Sequence, residues 1–112
     1  MKLVKKFTFD AAHHLPNYKG KCKQLHGHTY HLEVMVNGTV NPDTGMIVDF
    51  AELKHLVTSM ALDYLDHRLL NDVIPNPTAE NIVVWIHEKI AKHIDGEITL
   101  RLWETPDSYV EL

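Results

Sequence analysis

The sequence holds a single cysteine in 112 residues, so no disulfide can close within the chain. Glycine and proline number five each, too few and too scattered for a linker or a low-complexity tract. No apolar run approaches the ~20 residues that cross a bilayer, and the opening Met1-Lys2-Leu3-Val4-Lys5-Lys6-Phe7 leads into no signal-peptide core. No membrane partner is expected, and a cytoplasmic location is the default. Surplus positive charge is missing too. The formal net charge is −4, whereas domains that grip phosphodiester backbones are usually basic, so nucleic acid is not an expected partner. The length fits one domain, 1–112, with a single two-layer core.

What the chain has in quantity is histidine, nine in all, and their placement says more than their number. His26-Gly27-His28 lies on a segment that reads as extended. Side chains two apart on a strand share a face and stand roughly 6.5–7 Å apart. Two such imidazoles can converge on one metal ion. A third from a neighbouring strand would complete a facial cap with open outward positions, as in catalytic rather than structural zinc sites. His13-His14 lies upstream. These two point to opposite faces of a strand, so only one can join the pair. His31 has the opposite parity to His28 and is not expected to bind. Cys22 falls beside such a site rather than on it.

Parity and helical spacing give the element order. Leu3, Phe7 and Phe9 share one face of a strand over about 2–12, and Tyr30, Leu32, Val34 and Val36 continue the His26/His28 stripe over about 26–37. Asn37-Gly38 and Asn41-Pro42-Asp43-Thr44-Gly45 are turns, and Met46-Ile47-Val48 is a short extended piece. Asp49 then caps a helix, with Glu52 as reciprocal partner of a capping box and Phe50, Leu53, Leu56 or Val57, and Met60 as its buried face. A second helix is expected from Thr78 or Ala79 to about His93, and Gly96 fits the left-handed position beyond a helix end. Strands over 97–104 and 109–112 close the chain. Two hairpins joined by a helix pair predict an α+β layout: a four-stranded antiparallel sheet with both helices on one face. Its open edges and second face point to a homo-oligomer.

Six segments in this order resemble the 6-pyruvoyltetrahydropterin synthase superfamily, and in particular its 6-carboxytetrahydropterin synthase branch. They are Phe9-Asp10-Ala11-Ala12-His13-His14-Leu15, Cys22-Lys23-Gln24-Leu25-His26-Gly27-His28, Thr44-Gly45-Met46-Ile47-Val48-Asp49-Phe50, Leu65-Asp66-His67, Asn76-Pro77-Thr78-Ala79-Glu80-Asn81 and Glu104-Thr105. Biopterin-forming relatives place the cysteine further upstream of His-Gly-His, and a group making a folate precursor carries glutamate instead. The branch follows from Cys22 at the shorter spacing and from Val48-Asp49-Phe50.

The resemblance implies a T-fold (ββααββ) that assembles into an oligomeric barrel, a homohexamer with sites between subunits. It implies His13, His26 and His28 as ligands, with zinc the expected ion, and Cys22 as general base. Nearby cations favour a thiolate there. His67 with Asp66 matches a proton relay; adjacent residues seldom face each other, so Asp66 need not bond His67. Glu104, helped by Thr105, would grip the pterin, because a carboxylate accepts two parallel N–H bonds from a 2-amino-4-oxo ring. The implied activity is a lyase reaction in queuosine biosynthesis. It converts 7,8-dihydroneopterin triphosphate to 6-carboxy-5,6,7,8-tetrahydropterin, acetaldehyde and triphosphate. The alternatives are release of triphosphate alone to give 6-pyruvoyltetrahydropterin, and a relative that binds metal or pterin without turnover.

Overall fold

Two strands of 12 residues, β1 (Lys2–His13) and β2 (His26–Asn37), dominate the computed structural model, which describes residues 1–112. They pair antiparallel along their whole length, from Lys2 opposite Asn37 to His13 opposite His26. Alternation sets Phe7, Phe9, Ala11 and His13 on one face of β1, and Tyr30, Leu32, Val34 and Val36 on the same face of β2. Helix α1 (Phe50–Met60), the two-residue strand β3 (Arg68–Leu69), helix α2 (Ala79–Ile90), and strands β4 (Glu97–Thr105) and β5 (Ser108–Glu111) follow. The sheet order is β3-β1-β2-β4-β5.

The apolar stripe of each helix closes the core. Leu53 and Val57 of α1, and Ile82, Val83, Ile86 and Ile90 of α2, join Phe9, Leu32, Leu100 and Leu102 in one buried cluster. Each helix starts at a capped residue: Asp49 accepts from Ala51 N–H, and Thr78 from Asn81 N–H. Gly96 turns the chain from α2 into β4 at φ +110°, where a Cβ would lie 2.8 Å from the Asn37 carbonyl oxygen. Only glycine tolerates that approach.

The α+β layout and the bounds of the long strands agree with the pattern, and several details differ. The sheet has five strands: β3 pairs parallel with Ala11 and Ala12, a contact between residues 57 apart that no local signal encodes. Asp49 caps α1 without a reciprocal bond from Glu52. Phe50 and Met60, in the first and last turns of α1, are 54% and 40% exposed, so the buried face narrows to the i, i+4 pair Leu53–Val57, with Leu56 partly covered. Met46–Val48 forms one bridge, Asn41 to Met46, rather than a strand. Helix α2 stops at Ile90, and residues 91–93 tighten into a 3₁₀ turn.

Candidate metal centre and acid–base site

The buried stripe of the β1–β2 ribbon ends in histidine. His13 faces His26 directly across the pair, and His28 lies opposite Ala11, whose methyl leaves room for the larger ring. One ring nitrogen from each of His13, His26 and His28 lies within 4.8 Å of the other two. His13 is fully buried; the other two are partly covered.

The hydrogen bonds fix which nitrogens point inward. His13 Nδ1–H donates to the Pro77 carbonyl at 2.7 Å, and His26 Nδ1–H to the Gln24 carbonyl at 2.7 Å. A carbonyl can only accept, so both protons sit on Nδ1 and both Nε2 atoms carry lone pairs. Those two Nε2 atoms meet at 3.0 Å. His28 Nε2 is buried without a partner. Two lone pairs aimed at one another beside the unpartnered His28 Nε2 repel unless a cation stands between them. The set fits a divalent ion held by nitrogen, with backbone carbonyls orienting the rings as metal-binding histidines require. Burial is also the main reason that His13 and His28 are held below the usual imidazole range, which favours the neutral, ligand-competent form.

Glu104 is the nearest charge, its carboxylate 3.8 Å from His28 Nε2. It sits where β4 passes beyond its last pairing with β2, on the same side as buried Leu100 and Leu102. It makes no hydrogen bond within the protein and lines a groove of about 350 Å³ with Leu15, Tyr18, Thr78, Ala79 and Tyr109. Thr105 follows at an irregularity in the β4–β5 pairing, its hydroxyl donating to Asp107 in the turn.

Asp66 and His67 lie on the other side of the sheet. His67 takes a left-handed backbone, φ +59°, the one non-glycine residue to do so. That turn brings its Nδ1 to 3.0 Å from Asp66 Oδ1. Neighbouring side chains seldom face each other, and here the left-handed step folds the two together. Asp10 anchors both: its N–H donates to Asp66 Oδ1 at 3.0 Å, and its carbonyl accepts from His67 N–H at 2.6 Å. The first of these bonds chiefly holds the Asp66 carboxyl below its usual range. Asp10 and Thr29, register partners that hydrogen-bond each other, belong to the face opposite His13. His67 is 78% exposed.

Cys22 occupies a 3₁₀ turn, Lys21–Lys23, is partly buried, and hydrogen-bonds neither His67 nor Asp66 through its sulfur. His14 stays out of the cluster; its N–H and carbonyl are both clamped by the Asn71 side chain, which pins the end of β1. Sequence reading passed over Asn71, Tyr30, Asp10 and the Pro77 carbonyl as site components. Asp10 and Pro77 stand inside two of the six family-like segments, so the signal was present, but their role comes from backbone groups that residue identity does not reveal.

Fold and site together define an α+β protein with a candidate metal centre built on one β-ribbon. The chain belongs to the 6-pyruvoyl tetrahydropterin synthase family, whose pattern matches residues 2–112. It is 40% identical to a dihydroneopterin monophosphate aldolase of Pyrococcus furiosus, covering 99% of this chain and 96% of that protein. It is 35% identical to a 6-carboxy-5,6,7,8-tetrahydropterin synthase of Haemophilus influenzae, covering 98% and 96%. A Synechocystis protein of the latter name is 40% identical over 79% of this chain and 73% of its own length. Among solved structures, a Caenorhabditis elegans 6-pyruvoyl tetrahydropterin synthase superposes with TM-score 0.89 at 28% identity, covering 100% of this chain and 94% of that one. No helix is long and apolar enough to cross a membrane.

Proposed function

We propose that this protein is a 6-carboxy-5,6,7,8-tetrahydropterin synthase. It takes 7,8-dihydroneopterin triphosphate and water to 6-carboxytetrahydropterin, acetaldehyde and triphosphate, a lyase reaction that serves queuosine biosynthesis in the cytoplasm. The observation that carries the reading is the convergence of ring nitrogens from His13, His26 and His28 beside the carboxylate of Glu104. The relatives from Haemophilus and Synechocystis that bear this name support the choice of reaction.

Each residue then has a task. His13, His26 and His28 hold zinc, which when bound polarises substrate oxygens and offsets the charge that builds as a carbon-bound proton leaves the substrate. Glu104 accepts two N–H bonds from the pterin ring and sets its orientation in the adjoining groove. Thr105, whose proton is engaged by Asp107, offers only its lone pairs to the ring. Cys22 takes up the proton. Asp66 holds His67 by Nδ1, so that Nε2 faces outward to pass the proton on.

Within one subunit the sheet stands between His67 and the three ligands. The relay therefore serves the site of an adjacent copy in a homo-oligomeric barrel, a hexamer in the expected form. Shape supports this: the molecule measures 53 × 24 × 20 Å and β1 pairs on its outer edge only at Ala11 and Ala12. An edge left open along most of a long strand calls for a partner.

One observation favours a second reading, aldol cleavage of dihydroneopterin monophosphate. The Pyrococcus furiosus aldolase aligns with 99% of the sequence over 114 positions, nearly without gaps. The Haemophilus synthase needs 138 positions for 98% of it, so it has segments that this protein lacks. Incubation with the triphosphate and, separately, the monophosphate, followed by mass spectrometry, tests both. Carboxytetrahydropterin and acetaldehyde from the triphosphate are expected. A phosphorylated aldehyde from the monophosphate, with no carboxypterin, would overturn the first reading in favour of the second.

A further inference from the structure

Tyr30 is the buried titratable side chain that the chemistry above leaves unused. It is fully inaccessible. Its ring stacks on Phe9 with centroids 4.9 Å apart and planes 10° apart. It meets His13 edge-on at 6.2 Å and His28 at 5.5 Å. None of these contacts needs a hydroxyl, and phenylalanine would make all of them. Burying a phenol oxygen costs free energy unless a partner is at hand. The only partner the structure gives it is His13 Nδ1, at 3.4 Å.

That nitrogen already donates to the Pro77 carbonyl at 2.7 Å, so the phenol oxygen forms the long branch of a shared bond. We propose that Tyr30 is a positioning residue for the metal centre: its oxygen is a second acceptor for His13 Nδ1–H and keeps Nε2 turned toward His26 and His28. With two oxygens on this side of the ring, a half-turn would put carbon against both and remove the lone pair from the cluster. Moving the proton to Nε2 would set a lone pair against the Pro77 carbonyl and a proton into the space between the rings.

The inference rests on His13, His26 and His28 being a metal centre, and its test is read without substrate. Zinc affinity is measured by chelator competition for wild type and Tyr30→Phe, with unfolding temperature of the metal-free proteins as the control. Loss of outer-shell partners weakens metal binding by about 10–100-fold. With Pro77 still in place, a loss of about tenfold at unchanged unfolding temperature is expected. The ¹⁵N spectrum of metal-free wild type should show a single His13 form, protonated at Nδ1, and that of Tyr30→Phe a mixture. Zinc affinity within twofold of wild type, or a His13 spectrum the substitution leaves unchanged, would overturn the proposal. If Tyr30→Phe does not fold, the wild-type spectrum decides: a His13 proton on Nε2, or a phenol proton donated to an unprotonated Nδ1, sinks the idea, and a proton on Nδ1 sustains it. Wild type that binds no zinc defeats the metal centre itself, whereas zinc binding without turnover defeats only the proposed reaction.

Discussion

His28→Leu separates the cost of the site from its use. In the metal-free protein His28 Nε2 is buried with no partner. An unsatisfied buried acceptor costs about 1–3 kcal/mol, and an apolar residue of similar volume removes that cost. His28 keeps 18% of its side-chain surface, so the lower end applies. In chelator, His28→Leu should therefore match or exceed wild type by about 1 kcal/mol, or about 4 °C in unfolding temperature for a protein of this size. Zinc reverses the order. A ligand at 100 times its dissociation constant stabilises the folded state by about 2.7 kcal/mol, a rise of roughly 10 °C. Wild type should show that rise and His28→Leu should lose most of it. Thermal unfolding by circular dichroism at one fixed protein concentration, with chelator and with zinc, supplies all four values. A variant more than about 2 kcal/mol less stable in chelator would mean that His28 is a packing residue rather than a poised ligand. Equal zinc responses in the two proteins would refute the metal centre.

The site makes further demands. Glu104→Gln removes a charged acceptor and should weaken pterin binding by about 10- to 100-fold, from the 1.5–3 kcal/mol of a hydrogen bond to a charged group, as read by fluorescence titration. Cys22→Ala and His67→Ala should each lose turnover while retaining zinc. If the relay acts across subunits, oligomers refolded from a mixture of the two will regain part of the activity, and none will return if each subunit is self-contained. Asp66 has a lowered folded-state pKa, so its contribution to stability is complete above the unfolded value near 3.9 and is lost as pH falls through the folded one. Asp66→Asn should therefore flatten the acid end of the stability–pH curve below about pH 4, modestly because the carboxylate is exposed. An unchanged slope there would show that Asp10 N–H contributes nothing to holding the turn.

The sequence alone determined whatever depends on alternation and local chemistry. Strand parity set Tyr30, Leu32, Val34 and Val36 on the face of His26 and His28, and Asp49 and Gly96 marked a helix start and a helix exit, because period and backbone preference are properties of short stretches. Tertiary structure decided what depends on pairing between distant segments. The register of β1 on β2 selected His13 over His14, and β3 closed on Ala11 and Ala12 from 57 residues away. The carbonyl of Pro77, delivered by the loop that begins α2, and the amide of Asp10 act through atoms common to the backbone of other residues, so no letter could announce them. The left-handed turn at His67 likewise became visible only once the backbone of β1 was there to hold it.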